Sequence, residues 1–188
     1  MDKISTFWDF SLATYSRPNV AEACLSLQDQ YALDVNMLLF CCWYGSTRGC
    51  LDKDTFETVI AFSESWATQV VHPLRNTRKW MKHHNSTQAY QHNSKHLKLR
   101  NEIKKSELSA ERIQQEILEN LASTVPINLE TQKQTINAIK NLWRYLEYYN
   151  VRLDPPSLVQ LAHIVTSFIN GSDKKNVLSM LKKNFKKV

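Results

Sequence analysis

Glycine and proline are scarce in this chain, with three and five respectively in 188 residues. So few turn-forming residues exclude a many-stranded sandwich or barrel and favour long helices joined by short connections. Cysteine is also sparse. Cys24, Cys41, Cys42 and Cys50 are too few for a disulfide scaffold, and their spacing matches neither C-x-x-C nor a usual zinc pattern. They are expected to behave as small apolar residues in a reducing compartment. Long apolar runs are missing too. The longest, Met37 to Tyr44, is eight residues, whereas a membrane span takes about 20. The opening MDKISTFWDFSLATYS has no basic start followed by an apolar core, so no export signal is read there and a cytoplasmic location is expected. Nor does the chain carry a Gly-rich phosphate loop, a dinucleotide fingerprint, H-E-x-x-H, a nucleophile elbow or an Asp-Asp-x-x-Asp arrangement. The common enzyme templates are therefore absent, and no cofactor or metal is expected. His92 and His96 are four apart, but their Asn, Gln, Ser and Lys neighbours read as a solvated connection.

What the chain has in abundance is helical periodicity. Hydrophobic residues make up 43% of it, enough for a chain of this size to bury roughly 70% of its unfolded surface. Ile4, Phe7, Trp8, Leu12 and Tyr15 recur at helical spacing before Pro18. Asn19 is placed to cap a second helix and Asp34 a third, VNMLLFCCWYG, which is apolar nearly all round and is expected to end at Gly45. Asp52 or Asp54 opens another helix, Ser63 or Ser65 the next, and Pro73 is a candidate kink. A long helix follows from about Lys95 to Ala122, with Ile103, Ala110, Ile113, Ile117 and Leu121 as its expected buried side. Asn128 and Asp154-Pro155 are read as starts of two more, Gly171 as a stop, and a terminal helix carries Val177, Leu178, Leu181 and Phe185. The expectation is an all-α bundle of about eight or nine helices, with an apolar central helix near residues 34–45. The natural divisions are an N-terminal bundle over 1–82, a polar His-rich connection over 83–94, and a C-terminal helical region over 95–188, possible partners in one core.

Charge is segregated along the chain. The net charge is +6 overall, made up of −5 over residues 1–71, +8 over 72–105 and +3 over 106–188. On a helical wheel Arg75, Arg78, Lys79 and Lys82 form one stripe, extended by Lys98, Arg100, Lys104 and Lys105. Four like charges on one helix face repel one another, and an anionic partner would relieve that repulsion and release counterions. Trp80 adjoins the stripe and is a candidate for stacking on a base. The competing expectation is that the acidic N-terminal segment neutralises these cations within the fold. Asp29 and Asn36, polar groups in the apolar N-terminal third, are candidates for a ligand pocket, because buried polar groups need partners. The Lys-rich last helix either packs its apolar side on the fold or meets an anionic membrane surface.

FWDFSLATYSRPNVAEACLSLQDQYALDVNMLLFCCWYG, followed by VVHPLRNTRKWMK, resembles a bacterial domain family of unknown function. The resemblance covers roughly residues 5 to 120 and weakens beyond Pro126. It implies a small cytoplasmic helical protein whose gene can sit near genes for ribosome-associated ATP-binding-cassette proteins, and it implies no activity.

Three functions are therefore expected from the sequence. The first is a binding or adaptor module whose basic face meets RNA, DNA, a ribonucleoprotein or an acidic protein. The second is an enzyme or small-ligand binder using the polar groups of the N-terminal bundle, which a deep pocket containing Asp29 would favour. The third is a structural protein–protein module.

Overall fold

The computed structural model describes residues 6–84, 89–90, 92–122, 127, 129–169, 171 and 173–185. Among these there is no strand, and the chain is an all-α bundle. The helices are α1 (Phe7–Tyr15), α2 (Val20–Tyr31), α3 (Val35–Thr47), α4 (Lys53–Trp66), α5 (His72–His83), α6 (Ser94–Leu121), α7 (Thr131–Tyr148), α8 (Pro155–Phe168) and α9 (Lys174–Phe185).

Side-chain caps set several of the starts. Asp34, Asp52, Asn93 and Asp154 each accept from backbone N–H groups in the first turn of α3, α4, α6 and α8, satisfying donors that the helix itself cannot. Asn19 precedes α2 but does not cap it. Its backbone is left-handed, with φ 62°, and its side chain makes no cap bond. The expected start at Ser63 or Ser65 is also absent. The helical backbone runs from α4 through a wide π turn over Ala67–Val71 into α5, and Ser63 is buried inside α4. The π turn sits where Pro73 lacks an N–H and crowds the carbonyl of Gln69, so proline produces a local widening of the helix. Asn128 lies outside the described residues. The helix after it begins at Thr131, with Glu130 in the cap position and no side-chain cap bond.

α3 is buried from Asn36 to Gly45, as its lack of a polar face requires. It does not stop at Gly45 but continues to Thr47. Gly45 serves a close helix approach: a Cβ there would lie 2.4 Å from the backbone N of Ala138 and 2.5 Å from its Cα. α3 therefore presses directly on the backbone of α7. Phe7 of α1 packs on Phe40 and Trp43 of α3, with ring centroids of the three 5.2 to 5.8 Å apart. The buried Asn141 of α7 accepts from the Leu51 N–H at 2.9 Å and donates to the Gly49 carbonyl at 3.1 Å, holding the α3–α4 connection.

One cluster of buried apolar residues runs from Phe7 to Leu181, with members on both sides of the 83–94 connection. Val177 and Leu181 of α9 are buried in it, while Lys175, Lys182 and Lys183 stay exposed. The apolar side of the Lys-rich helix is thus committed to packing. Cys24, Cys41 and Cys42 are buried free thiols. Burial pushes the Cys24 thiol up to about 12 and raises Cys42 well above its ordinary value, so both stay protonated. No described helix is long and apolar enough to cross a membrane.

Candidate functional site

A cleft of about 530 Å³ opens between α1, α2, the start of α3, α5 and α6. This volume falls within the usual range for small-molecule sites. α6 supplies its floor through Lys104, Glu107, Leu108, Glu111 and Gln115, residues that share one helix face by their three- and four-residue spacing. α1 faces them with Trp8, Ser11, Leu12 and Tyr15. The two helices are tied at one end by the Phe7 N–H, which donates to Glu119 Oε2 at 2.9 Å.

An arginine clamp crosses the middle of the cleft. Arg75 donates through Nε to Glu107 Oε1 at 2.9 Å and through Nη1 to Gln28 Oε1 at 2.9 Å, and its Nη2 pairs with Glu111. Arg78 pairs with the same Glu107 through Nε, and its Nη2 adds a bond of 3.1 Å. Burial opposes the charge on Arg75, but the Glu107 and Glu111 carboxylates outweigh it and hold the guanidinium above its ordinary value. Burial likewise pushes the Glu107 carboxyl up, and hydrogen bonds from Arg78 and Arg75 overcome this and hold it below the ordinary range. For Glu111 burial wins, and its pKa is raised in spite of Arg75. On the far side of Arg75 lies a smaller cavity of about 230 Å³, bordered by Ala67 and Val71 of the π turn.

The deep end is a network of buried amides. Asn36 Nδ2 donates to Gln114 Oε1 at 2.7 Å, and Gln115 Nε2 donates to Asn36 Oδ1 at 2.7 Å. Gln114 Nε2 donates to Asp34 Oδ2 at 2.8 Å and to Ser63 Oγ at 2.9 Å, and the Asp34 N–H donates to the Tyr145 hydroxyl at 2.9 Å. Two buried oxygens of residues lining the cleft remain outside this network. Ser11 Oγ and Gln115 Oε1 have no hydrogen-bond partner among the described residues, although each residue is only 4% exposed. An unsatisfied buried oxygen costs about 1–3 kcal/mol; outside the cleft lining, His96 Nδ1 and Nε2, Arg100 Nε and Gln160 Oε1 are buried without a partner among the described residues as well.

The candidates read from the sequence are distributed unevenly. Asn36 and the exposed Asp29 both line the cleft. Arg75 and Arg78 line it as well, but in ion pairs, so they do not stand as uncompensated cations on an outer stripe. The carboxylates that neutralise them come from α6, downstream of the basic segment, and not from the acidic N-terminal segment expected to do so. Lys79 and Lys104 are exposed at the cleft and make no ion pair or hydrogen bond among the described residues. Lys82, Lys98 and Lys105 are exposed and Arg100 half-buried, all outside the cleft lining. Trp80 is 51% exposed and stacks on His84 at 5.0 Å between centroids. No cluster of His, Cys, Asp or Glu able to hold a metal occurs among the described residues.

Sequence reasoning found the inward face of α6 only in part: Ala110 is buried as expected, and Ile103 and Ile117 are half-buried. Ile113 and Leu121, expected to be buried, are 43% and 42% exposed, whereas Glu107, Gln114 and Gln115 are buried. The apolar stripe was the stronger periodic signal, and only the partners of Gln114 and Gln115 on α3 and α4 explain why polar groups turn inward. Ser11 gave no signal, since a serine on a short helix is ordinary.

No curated protein and no solved structure matches the chain. The family described as Protein of unknown function (DUF2390) matches residues 6–118, a span that contains every residue lining the cleft, and the chain belongs to this family.

Proposed function

We propose that this protein is a small-ligand-binding module and that the cleft between α1, α2, α3, α5 and α6 is its site. The observation carrying this reading is the pair of buried oxygens, Ser11 Oγ and Gln115 Oε1, left without partners among the described residues beside a cleft of ligand size. A fold that satisfies Asn36, Gln114, Asp34 and Ser63 within a few ångströms has the means to satisfy these two as well. Leaving them open is a cost that a bound hydrogen-bonding molecule would recover. The cleft rim supports the same reading. Leu12, Leu25 and Leu108 are 51%, 45% and 54% exposed around one opening, and clustered exposed leucines favour an apolar occupant.

The basic-face reading, toward RNA, DNA, a ribonucleoprotein or an acidic protein, is weaker for a specific reason. Arg75 and Arg78 are neutralised by Glu107 and Glu111, so half of the four-residue stripe no longer presents the repulsion that an outside polyanion would relieve.

The test is binding of N-phenylnaphthylamine, an uncharged dye that brightens in apolar surroundings, to the intact chain. Enhanced fluorescence is expected, and Leu12→Ser combined with Leu108→Ser should weaken binding about tenfold through lost apolar contact. Both positions are more than half exposed, so the fold should tolerate the change. No enhancement, or the same affinity in the variant, overturns the reading.

A further inference from the structure

We infer that the natural occupant is an elongated amphiphilic anion: an apolar body with a carboxylate or phosphate at one end and a hydrogen-bond donor at the other. This rests on the ligand-site reading above and gives it a direction. Along α6, Lys104 and Gln115 both face the cleft, and eleven residues of helix separate them by about 16 Å. The two ends differ in chemistry.

At the Lys104 end the cleft offers positive charge. Lys79 of α5 and Lys104 are exposed and without an ion pair or hydrogen bond among the described residues. Arg75, Arg78, Glu107 and Glu111 lie between the ends and balance one another. The exposed Asp29 offsets one lysine, leaving the rim with a single net positive charge. A ligand anion there gains a charge-assisted contact without losing its access to water.

The Gln115 end offers acceptors. Gln115 Oε1 is an acceptor only and is unpartnered, as is Ser11 Oγ. Asp34 borders the same end with its carboxylate already accepting from Asn36 N, Ser63 Oγ and Gln114 Nε2. A second anion would be repelled there, while a hydroxyl or amide N–H would complete the network once the Ser11 and Gln115 side chains turn their sealed oxygens toward it. Between the ends the wall is Trp8, Leu12, Leu39 and Leu108, suited to an aliphatic or aromatic body.

The experiment displaces N-phenylnaphthylamine from the intact chain with three probes of equal length: decanoate, ω-hydroxydecanoate and the corresponding uncharged diol. ω-Hydroxydecanoate is expected to displace the dye at about tenfold lower concentration than either of the others. Combining Lys79→Ala with Lys104→Ala should abolish its advantage over the diol, and these exposed lysines can be removed without unfolding the protein. Ser11→Ala should reduce its advantage over decanoate while leaving the advantage over the diol. Equal displacement by all three probes overturns the inference, as does an acid preference that survives in the lysine variant or a hydroxy acid no better than decanoate. In each of those cases the dye still binds and the ligand-site reading stands. Failure of the dye to bind at all removes both.

Discussion

The two sides of α3 are built on opposite principles. Toward α7 it meets its neighbour largely dry: Gly45 lies against the Ala138 backbone, and Ile139 and Leu142 of α7 belong to the buried apolar core. Toward α6 the start of the same helix presents Asn36 to glutamines, beside arginines and glutamates. The dry side obtains its stability from burial and close packing. The polar side holds its charges by mutual pairing and leaves two oxygens unpaired, an arrangement that stability alone does not favour. The contrast separates the part of the molecule that carries the fold from the part we assign to binding.

The sharpest way to break the dry side is Gly45→Val. Its side chain would meet the α7 backbone, which cannot move aside as a flexible side chain could. A loss of about 4 kcal/mol is expected, at the upper end for overpacking, measured by urea unfolding. On the polar side the largest effect falls on Glu107→Gln. It leaves two half-buried guanidinium groups with one carboxylate between them, at a cost of about 3 kcal/mol.

The same glutamate gives the clamp a pH signature. Glu107 is held below its ordinary value of 4.5 in the folded state, so its contribution is complete above that value and is lost as pH falls through the folded pKa. Glu111 is raised and works in the opposite sense, because the folded state takes up its proton before the unfolded chain does. Unfolding free energy should therefore rise slightly on mild acidification, as the folded state takes up the Glu111 proton, and fall once the pH drops below about 4.5. Glu107→Gln should flatten that fall. A fall of equal size in the variant would show that the clamp does not carry it.

Smaller effects sharpen the comparison. Asn36→Ala removes the acceptor of Gln115 Nε2 and the donor to Gln114 Oε1, and it should cost about 2 kcal/mol. Lys79→Ala combined with Lys104→Ala should change stability by less than about 0.5 kcal/mol, because neither lysine holds a partner among the described residues. A larger loss would mean that these lysines serve the fold.

The dry side was largely legible in the sequence. The apolar run Met37 to Tyr44 has no polar face, so its burial could be read directly, and Asp34, the Asp52 or Asp54 pair and Asp154 announced three helices, with Asp52 the actual cap of α4. Gly45 was misread as a stop because glycine's usual meaning is a turn, and its contact with Ala138 depends on a helix ninety residues away. The polar side was legible only in fragments. Asp29, Asn36 and Arg75 were singled out, but nothing local indicates that Arg75 meets Glu107 and Glu111 across two helices. The stripe of cations was visible, while its carboxylates were hidden on α6, where periodicity pointed to Ile113 and Leu121 as the inner face. Long-range polar pairing leaves no periodic trace, and for that reason the site was harder to read than the fold.

The measurement that bears most directly on this assignment is the unfolding free energy of Ser11→Ala without ligand. If the hydroxyl is kept for an occupant, its removal relieves an unsatisfied buried group. The variant should then gain about 1 kcal/mol, more than the roughly 0.5 kcal/mol that helix propensity alone would give. A loss of stability would place the Ser11 hydroxyl in the service of the fold and contradict the account.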